Sequence, residues 1–231
     1  MSPDLKRLLD AALPEGVAWA GLRRVRTTTR GYHAKDGRFD EAYDLVDEGC
    51  MIEVLVDGQF GYAALASLEP GALRAAADRA LRLARSAAPW AIFRFDDAVR
   101  PPTVLRYESP RRLRAAFGAD LLTHHAIRLT EAMKISDRIV QAAASLEARE
   151  METEFISTSG AAIEQRMHII GSSLQVIARD GGATQLRSTN GPRGRNNQGG
   201  WEFVDLEGGE AEARRIAEQA LELLEAPECP A

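Results

Sequence analysis

ETEFISTSGAAIEQRMHIIGSSLQVIARDGGATQLRSTNGPRGRNNQGGW, residues 152–201, decides how this chain folds. Apolar and polar residues alternate along it. Small-residue turns interrupt the alternation at Ser159-Gly160-Ala161 and Asp180-Gly181-Gly182. Alternation with a period of two marks half-buried strands, and such turns supply the positive φ that tight hairpins require. The stretch predicts a meander of β-hairpins. It runs into a Gly/Arg/Asn-rich loop at 191–200, and Trp201-Glu202-Phe203-Val204 then looks extended.

Outward from the meander, helices and further strands can be placed. Downstream, Glu210 to Glu225 turns Ala213, Ile216, Ala217, Ala220, Leu221 and Leu224 to one side, an amphipathic helix that Ala226-Pro227 ends. Upstream, Asp137 to Arg149 has alanines that favour a helix and an alternation that favours a strand. A strand leading into the meander is expected. Ser109-Pro110 reads as a cap and first turn, opening a helix through Leu113, Phe117, Leu121 and Leu122 toward Met133. Residues 91–108 read as a connector, with Pro101-Pro102 forbidding a helix there.

The amino-terminal part reads as a second α+β unit. Leu5, Leu8, Leu9 and Leu13 share a helical face, and residues 18–29 read as a strand. A polar stretch follows, with Asp36-Gly37 as a hairpin turn. Cys50 to Val56, the turn Asp57-Gly58 and Gln59 to Ala66 form a second hairpin. Gly61 and the alanines of the return strand leave room for something to lie close against it. Pro70 opens a helix to about Ser86 that would cover one face of that hairpin. The expected fold class is α+β, with antiparallel hairpin and meander sheets packed by amphipathic helices in two sub-domains. The expected division is 1–92, a connector at 93–108, and 109–231.

Composition narrows the function classes. The chain has 231 residues, 45% hydrophobic and 27% charged, as is ordinary for a globular protein. Its net charge of -5 argues against general nucleic-acid binding. Two cysteines, Cys50 and Cys229, have neither metal-ligand spacing nor the number for a disulfide framework. No run approaches a membrane span, and the start lacks the apolar core of a signal peptide. A reducing, cytoplasmic setting without nucleic acid or membrane as partner is expected.

Candidate chemistry is sparse. His124-His125 are adjacent and so point about 100° apart on a helix, which is no chelate. His33 sits in a polar stretch and His168 at a strand position; packing or surface is expected of both. Ser157-Thr158-Ser159-Gly160 lacks the strand-turn-helix of a nucleophile elbow and reads as a turn. Asp36 with Asp40-Glu41, Asp96-Asp97, and Glu150-Glu152-Glu154 are expected to be solvated carboxylates. The loop 191–200 offers glycine N–H groups and arginines for an anion. A cradle ordinarily opens a helix, so a flexible hairpin loop is expected instead. Arg187, Arg193, Arg195, Asn196 and Asn197 are the candidate residues for contacting a peptide or partner, and the three arginines for an anionic ligand.

In its order of parts the chain resembles the amino-terminal and middle regions of the TldD/PmbA family of metallopeptidases, described as modulators of DNA gyrase. The first likeness runs from Gly49 through the hairpin Val54-Leu55-Val56-Asp57-Gly58-Gln59-Phe60-Gly61-Tyr62-Ala63 into the Ala-rich helix. The second runs from Asp137-Arg138-Ile139-Val140 through Ser157-Thr158-Ser159-Gly160, Asp180-Gly181 and the Gly-rich loop to Gly199-Gly200-Trp201-Glu202-Phe203 and the 210–225 helix. The resemblance implies a zinc site carried on an H-E-x-x-x-H helix, with a later cysteine ligand. This sequence contains no such motif, so no catalytic or metal residue is carried over to it. The expected role is a scaffold segment of a TldD-like zinc peptidase acting on small or unfolded peptides. Such a segment would be inactive alone and paired with a homologous subunit in a heterodimer or homodimer. The alternative is a non-catalytic PmbA-like partner or interaction module.

Overall fold

The computed structural model describes residues 4–109, 118–191, 194–204 and 209–227. It is a mixed fold of a curled, mainly antiparallel sheet and packing helices, as the α+β reading expects. In chain order the elements are α1 (Leu5–Ala12), β1 (Trp19–Lys35), β2 (Arg38–Val56), β3 (Gln59–Leu65) and α2 (Pro70–Ala87). There follow β4 (Val104–Glu108), α3 (Ala119–Met133), β5 (Ile139–Ser157), β6 (Ala162–Asp180), β7 (Ala183–Ser188), β8 (Arg195–Gln198) and α4 (Gly209–Glu225). The sheet order is β3-β2-β1-β5-β6-β4, with β7 and β8 also paired to β6.

Two compact units divide the chain, and they interleave. The first takes the chain up to Thr27, Val46–Glu108 and Met151–Arg166. The second takes Thr28–Leu45, Ser109–Glu150 and the chain from Met167. The boundaries fall inside β1, β2, β5 and β6, so each of these strands gives residues to both units.

In the first unit, Asp57 (φ 52°) and Gly58 (φ 76°) form the two-residue turn that sets Val56 opposite Gln59 and Val54 opposite Gly61. Two left-handed residues in succession match the right-handed twist of the flanking strands. The Ala-rich stripe of α2 lies on β3, and α1 packs on α2. Their core joins Leu5, Leu9, Leu22, Ile52, Val54, Leu73 and Leu81 with Ala76, Ala77, Ala80 and Ala84. Gly61 is what permits the approach: a Cβ there would run into the Ala80 carbonyl oxygen and lie 2.9 Å from the Ala84 nitrogen. The Asp4 carboxylate caps α1 by accepting from the Arg7 N–H at 3.1 Å.

In the second unit, the alternation of β5 buries Ala142, Ala144, Leu146 and Ala148, and that of β6 buries Leu174, Val176 and Ala178. Leu122, Leu129 and Met133 of α3 and Ile216, Ala217 and Ala220 of α4 close over this face. The Ala-rich stretch 139–149 is therefore a strand, as its alternation predicts, and tertiary packing overrides alanine's helix preference. The turns expected at Asp36-Gly37, Ser159-Gly160 and Asp180-Gly181 are all formed, with φ of 51°, 77°, 95° and 53° at Asp36, Gly37, Gly160 and Gly181.

Several expectations need correction. The polar stretch after residue 29 is strand: β1 continues to Lys35 and β2 starts at Arg38. Residues 38–48 are exposed on both faces apart from half-buried Tyr43, so no alternation marks them; backbone pairing alone makes them a strand. The 91–108 stretch contains β4, which runs parallel to β6 with Val104 opposite Ala162 and Arg106 opposite Glu164. Pro101-Pro102 does forbid a helix, but an edge strand can begin just after prolines. Trp201–Phe203 is a 3-10 turn, not an extended segment. The start of the helix expected from Ser109-Pro110 lies outside the described residues, and the described helix begins at Ala119.

Candidate functional site

The loop 191–200 and its neighbours on β7 hold the candidate residues of the second unit. Asn190 (φ 55°), Gly191 (φ 71°) and Gly194 (φ 61°) turn the chain back after β7. Only glycine fits at 194, where φ is left-handed and a Cβ would sit 2.5 Å from the Ser172 carbonyl oxygen. The chain then rejoins the sheet as β8, pairing Ser172 with Arg195, Gly171 with Asn196, Ile170 with Asn197 and Ile169 with Gln198. The expected flexible hairpin loop is thus a sheet strand over residues 195–198. Sequence reasoning missed it because Arg-Asn-Asn-Gln carries no strand propensity; its pairing comes from β6.

Three glycine amides of the loop are taken up internally. Gly194 N–H donates to the Gly191 carbonyl at 3.3 Å, and Gly199 N–H to the His168 carbonyl at 2.8 Å. Gly200 N–H donates to Glu202 Oε1 at 3.1 Å. An anion cradle needs such donors converging on a ligand, and these converge on the protein. Thr189 fixes the near end: its N–H donates to the Leu174 carbonyl, and its hydroxyl accepts from the Leu174 N–H, both at 3.0 Å. Buried Trp201 fixes the far end, edge-on to Tyr32.

Of the five candidates, Arg187 stands exposed on β7 opposite Val176. Arg195 is exposed on β8 and reaches Glu212 of α4 at 3.4 Å. Asn196 is exposed and Asn197 half-buried on β8. Arg193 lies outside the described residues. Arg187 and Arg195 pair with different stretches of β6, around Val176 and Ser172. A small cavity of about 60 Å³ includes Arg195, Glu212, His125 and Ser172 in its lining. That volume holds about two waters and no peptide.

The other polar groups serve the fold. His124 Nδ1 lies 2.7 Å from the Asp120 carbonyl, while His125 is buried beside Arg128. His33 is on β1 rather than in a loop, its ring against Tyr43. His168 is a buried strand residue whose N–H donates to Ser109 Oγ at 3.0 Å. Ser157 and Ser159 hydroxyls lie 2.9 Å apart; Ser159 accepts from the Trp19 indole and Ser157 from the Ala161 N–H. These bonds lock a turn and expose no nucleophile. Cys50 is buried, its thiol directed at the Leu65 and Ser67 carbonyls, and burial pushes its pKa up, the opposite of an activated thiolate.

Two carboxylate expectations change. Asp36 accepts from the Ala142 N–H and from Lys134, both at 2.8 Å. Partial burial alone would raise its carboxyl pKa, but Lys134 and the Ala142 amide outweigh burial and hold it below its ordinary value. Glu154 and Glu152 are not bare surface: they pair with Arg24 at 3.5 Å and Arg166 at 3.3 Å. Among the described residues no three His, Cys, Asp or Glu side chains gather as metal ligands. A zinc ion has no fitting set of donors among them.

The comparisons with known proteins extend the same picture. The first domain of the PmbA/TldA metallopeptidases matches residues 20–84, and their central domain matches residues 111–224. The chain is a distant homologue within that PmbA/TldA family. A metalloprotease of Methanothermobacter thermautotrophicus is 26% identical over 227 residues, covering 94% of this chain and 46% of its own length. Among solved structures, a modulator of a DNA gyrase from Thermotoga maritima aligns with a TM-score of 0.68 at 18% identity, covering 98% of this chain and 49% of its own. One from Bacteroides thetaiotaomicron aligns at 0.69 and 17%, covering 96% and 50%. TldE from Thermococcus kodakarensis aligns at 0.62 and 14%, covering 94% and 46%. At these identities the structures share the fold. This PmbA/TldA homologue spans about half the length of the relatives it matches. No helix among its described residues is long and apolar enough to cross a membrane.

Proposed function

We propose that this chain is a non-catalytic scaffold and interaction segment of a PmbA/TldA-type assembly. The observation that carries the reading is the double match to domain 1 and the central domain, on residues whose polar groups serve turns, caps and ion pairs. Its partner would be a homologous subunit, met in a reducing cytoplasm. Arg187, Arg193, Arg195, Asn196 and Asn197 would contribute contacts to that subunit or to an extended peptide. Zinc titration followed by elemental analysis, with a fluorogenic peptide panel run in parallel, tests the reading on the 231-residue chain. Neither stoichiometric zinc nor peptide hydrolysis is expected; either one overturns it.

A second reading is favoured by the metalloprotease relative. Within a protein of that relative's length, this segment would support zinc-dependent peptide hydrolysis by residues outside it. Sequencing the gene beyond codon 231 tests that: an H-E-x-x-x-H motif supports it, and a degenerate motif returns the chain to the non-catalytic role.

A further inference from the structure

Glu53 is the one carboxylate buried among the described residues, at 7% exposure. It sits on β2 opposite Tyr62 of β3. Its neighbours Ile52 and Val54 belong to the core under α2, so alternation turns Glu53 to the other face of the sheet. A glutamate is seldom buried unless its charge is paired. Here the pairing is loose: Arg100 Nη2 lies 3.6 Å from Glu53 Oε2, beyond hydrogen-bond reach. A buried ion pair adds little net stability over apolar residues of the same size. Tying the sheet to the turn at Asp97–Val99 does not by itself call for a carboxylate.

The Arg100 guanidinium also lies 4.9 Å from the centroid of the Phe60 ring, inside the roughly 6 Å of a cation–π contact. That ring is already fixed: the Trp19 ring meets it edge-on at 5.9 Å, and Phe95 lies at 5.5 Å. A buried carboxylate beside a fixed aromatic face is the chemistry that selects a cation. The acidic groups nearby in sequence, Asp57, Asp96 and Asp97, are exposed, so water and salt weaken their pull. Arg23 and Arg94 are held elsewhere, at Met51 Sδ (3.9 Å) and at the Asp57 carbonyl (3.3 Å). Arg100 itself is tethered. Its N–H donates to the Asp97 carbonyl at 2.9 Å, its carbonyl accepts from Ser159 Oγ at 3.5 Å, and Pro101 follows. A guanidinium without that tether can close to the bidentate distance of about 2.7–2.9 Å.

We propose that Glu53 and Phe60 form a binding site for a guanidinium group, with Arg100 as an internal ligand that an incoming guanidinium displaces. The carboxylate supplies charge-assisted hydrogen bonds, and the ring supplies the flat face on which the cation lies. A guanidinium is favoured over an ammonium because its planar fork both stacks on a ring and bonds a carboxylate bidentately. The Arg100 side chain is 41% exposed, so it can leave into water without burying its charge. The whole site lies in the first unit, and the inference holds whether or not the proposed function does.

The test titrates the 231-residue chain with acetyl-arginine-methylamide and with ethylguanidinium, followed by amide and aromatic-ring NMR shifts. Acetyl-citrulline-methylamide, of the same shape without the charge, is the control. Saturable binding of the arginine compound is expected, with the largest shifts at Glu53, Phe60 and Tyr62 and none from the control. Glu53→Gln should weaken binding by about tenfold or more, since a charge-assisted pair becomes a neutral one. Arg100→Gln should tighten it by about tenfold, because the internal competitor is gone. Ethylguanidinium binding as tightly assigns the site to a free small guanidine; its binding much more weakly assigns the site to an arginine side chain of a protein partner. No saturation at millimolar ligand, in the unaltered chain and in Arg100→Gln alike, overturns the proposal. So does equal binding of the citrulline compound, or a Glu53→Gln variant that binds as well as wild type; the Glu53–Arg100 pair is then a structural tie only. The citrulline comparison needs no variant and keeps the test decisive should either substitution fail to fold.

Discussion

Gly61 shows how much one missing methyl group decides. Its Cα hydrogen faces the backbone of α2, and any side chain there meets the Ala80 carbonyl. Backbone on both sides leaves nothing flexible to yield. Gly61→Ala should therefore lower stability by about 3 kcal/mol in a denaturant titration, the upper part of the range for overpacking. A loss below about 0.5 kcal/mol, the scale of a surface change, would mean that α2 can shift outward. Asp36 is the residue whose effect depends on pH. Its folded-state pKa is depressed, so its contribution is present above the unfolded value near 3.8 and fades as pH falls through the folded value. Asp36→Asn should cost about 1 kcal/mol at pH 7, given a half-exposed ion pair plus an amide bond. The gap to wild type should begin to narrow as pH falls past the unfolded value and close only in melts run below the folded value; a gap that persists there would mean that packing, not charge, carries the effect.

Among the elements, β8 and the 3-10 turn after it are held by packing more than by charge. The Arg195–Glu212 pair is largely open to solvent, at 48% and 32% exposure. Arg195→Ala should change stability by less than about 1 kcal/mol. Trp201 is buried among α3, α4 and the sheet, so Trp201→Ala should cost about 3–5 kcal/mol. Thermal melts of the two variants decide the matter, and equal losses would sink the assignment. Hairpin turns were legible in the sequence because positive φ is a local demand: Asp57-Gly58 and Asp36-Gly37 announce themselves. The strand β5 was legible through alternation although its alanines favour a helix. β2 before Gly49 was not legible, because a strand wet on both faces has no burial pattern to print. β4 and β8 are short, and each exists because β6 offers it an edge.

At the scale of the whole molecule, two cores imply two sets of slow-exchanging amides. Hydrogen exchange should be slowest around Ile52–Val56 in the first unit and around Leu146 and Val176 in the second. The wet part of β2, residues 38–48, should exchange faster than 52–56 of the same strand. Equal protection along β2 would contradict that gradient. Of the candidate site, the sequence named Arg187, Arg195, Asn196 and Asn197, which the structure spreads along β7 and β8.

By itself the sequence determined the α+β class, the positions of the hairpin turns, the faces of α1 and α4, and the likeness to the PmbA/TldA pattern. Each of these is written in residues close together in the chain: a left-handed φ, a period of two or 3.6, an order of segments. Tertiary structure alone decided that the two units interleave, that β4 runs parallel to β6, and that the Gly/Arg/Asn stretch returns to the sheet. Those features depend on which distant backbone offers unpaired N–H and C=O groups, and such groups are the same in every residue but proline.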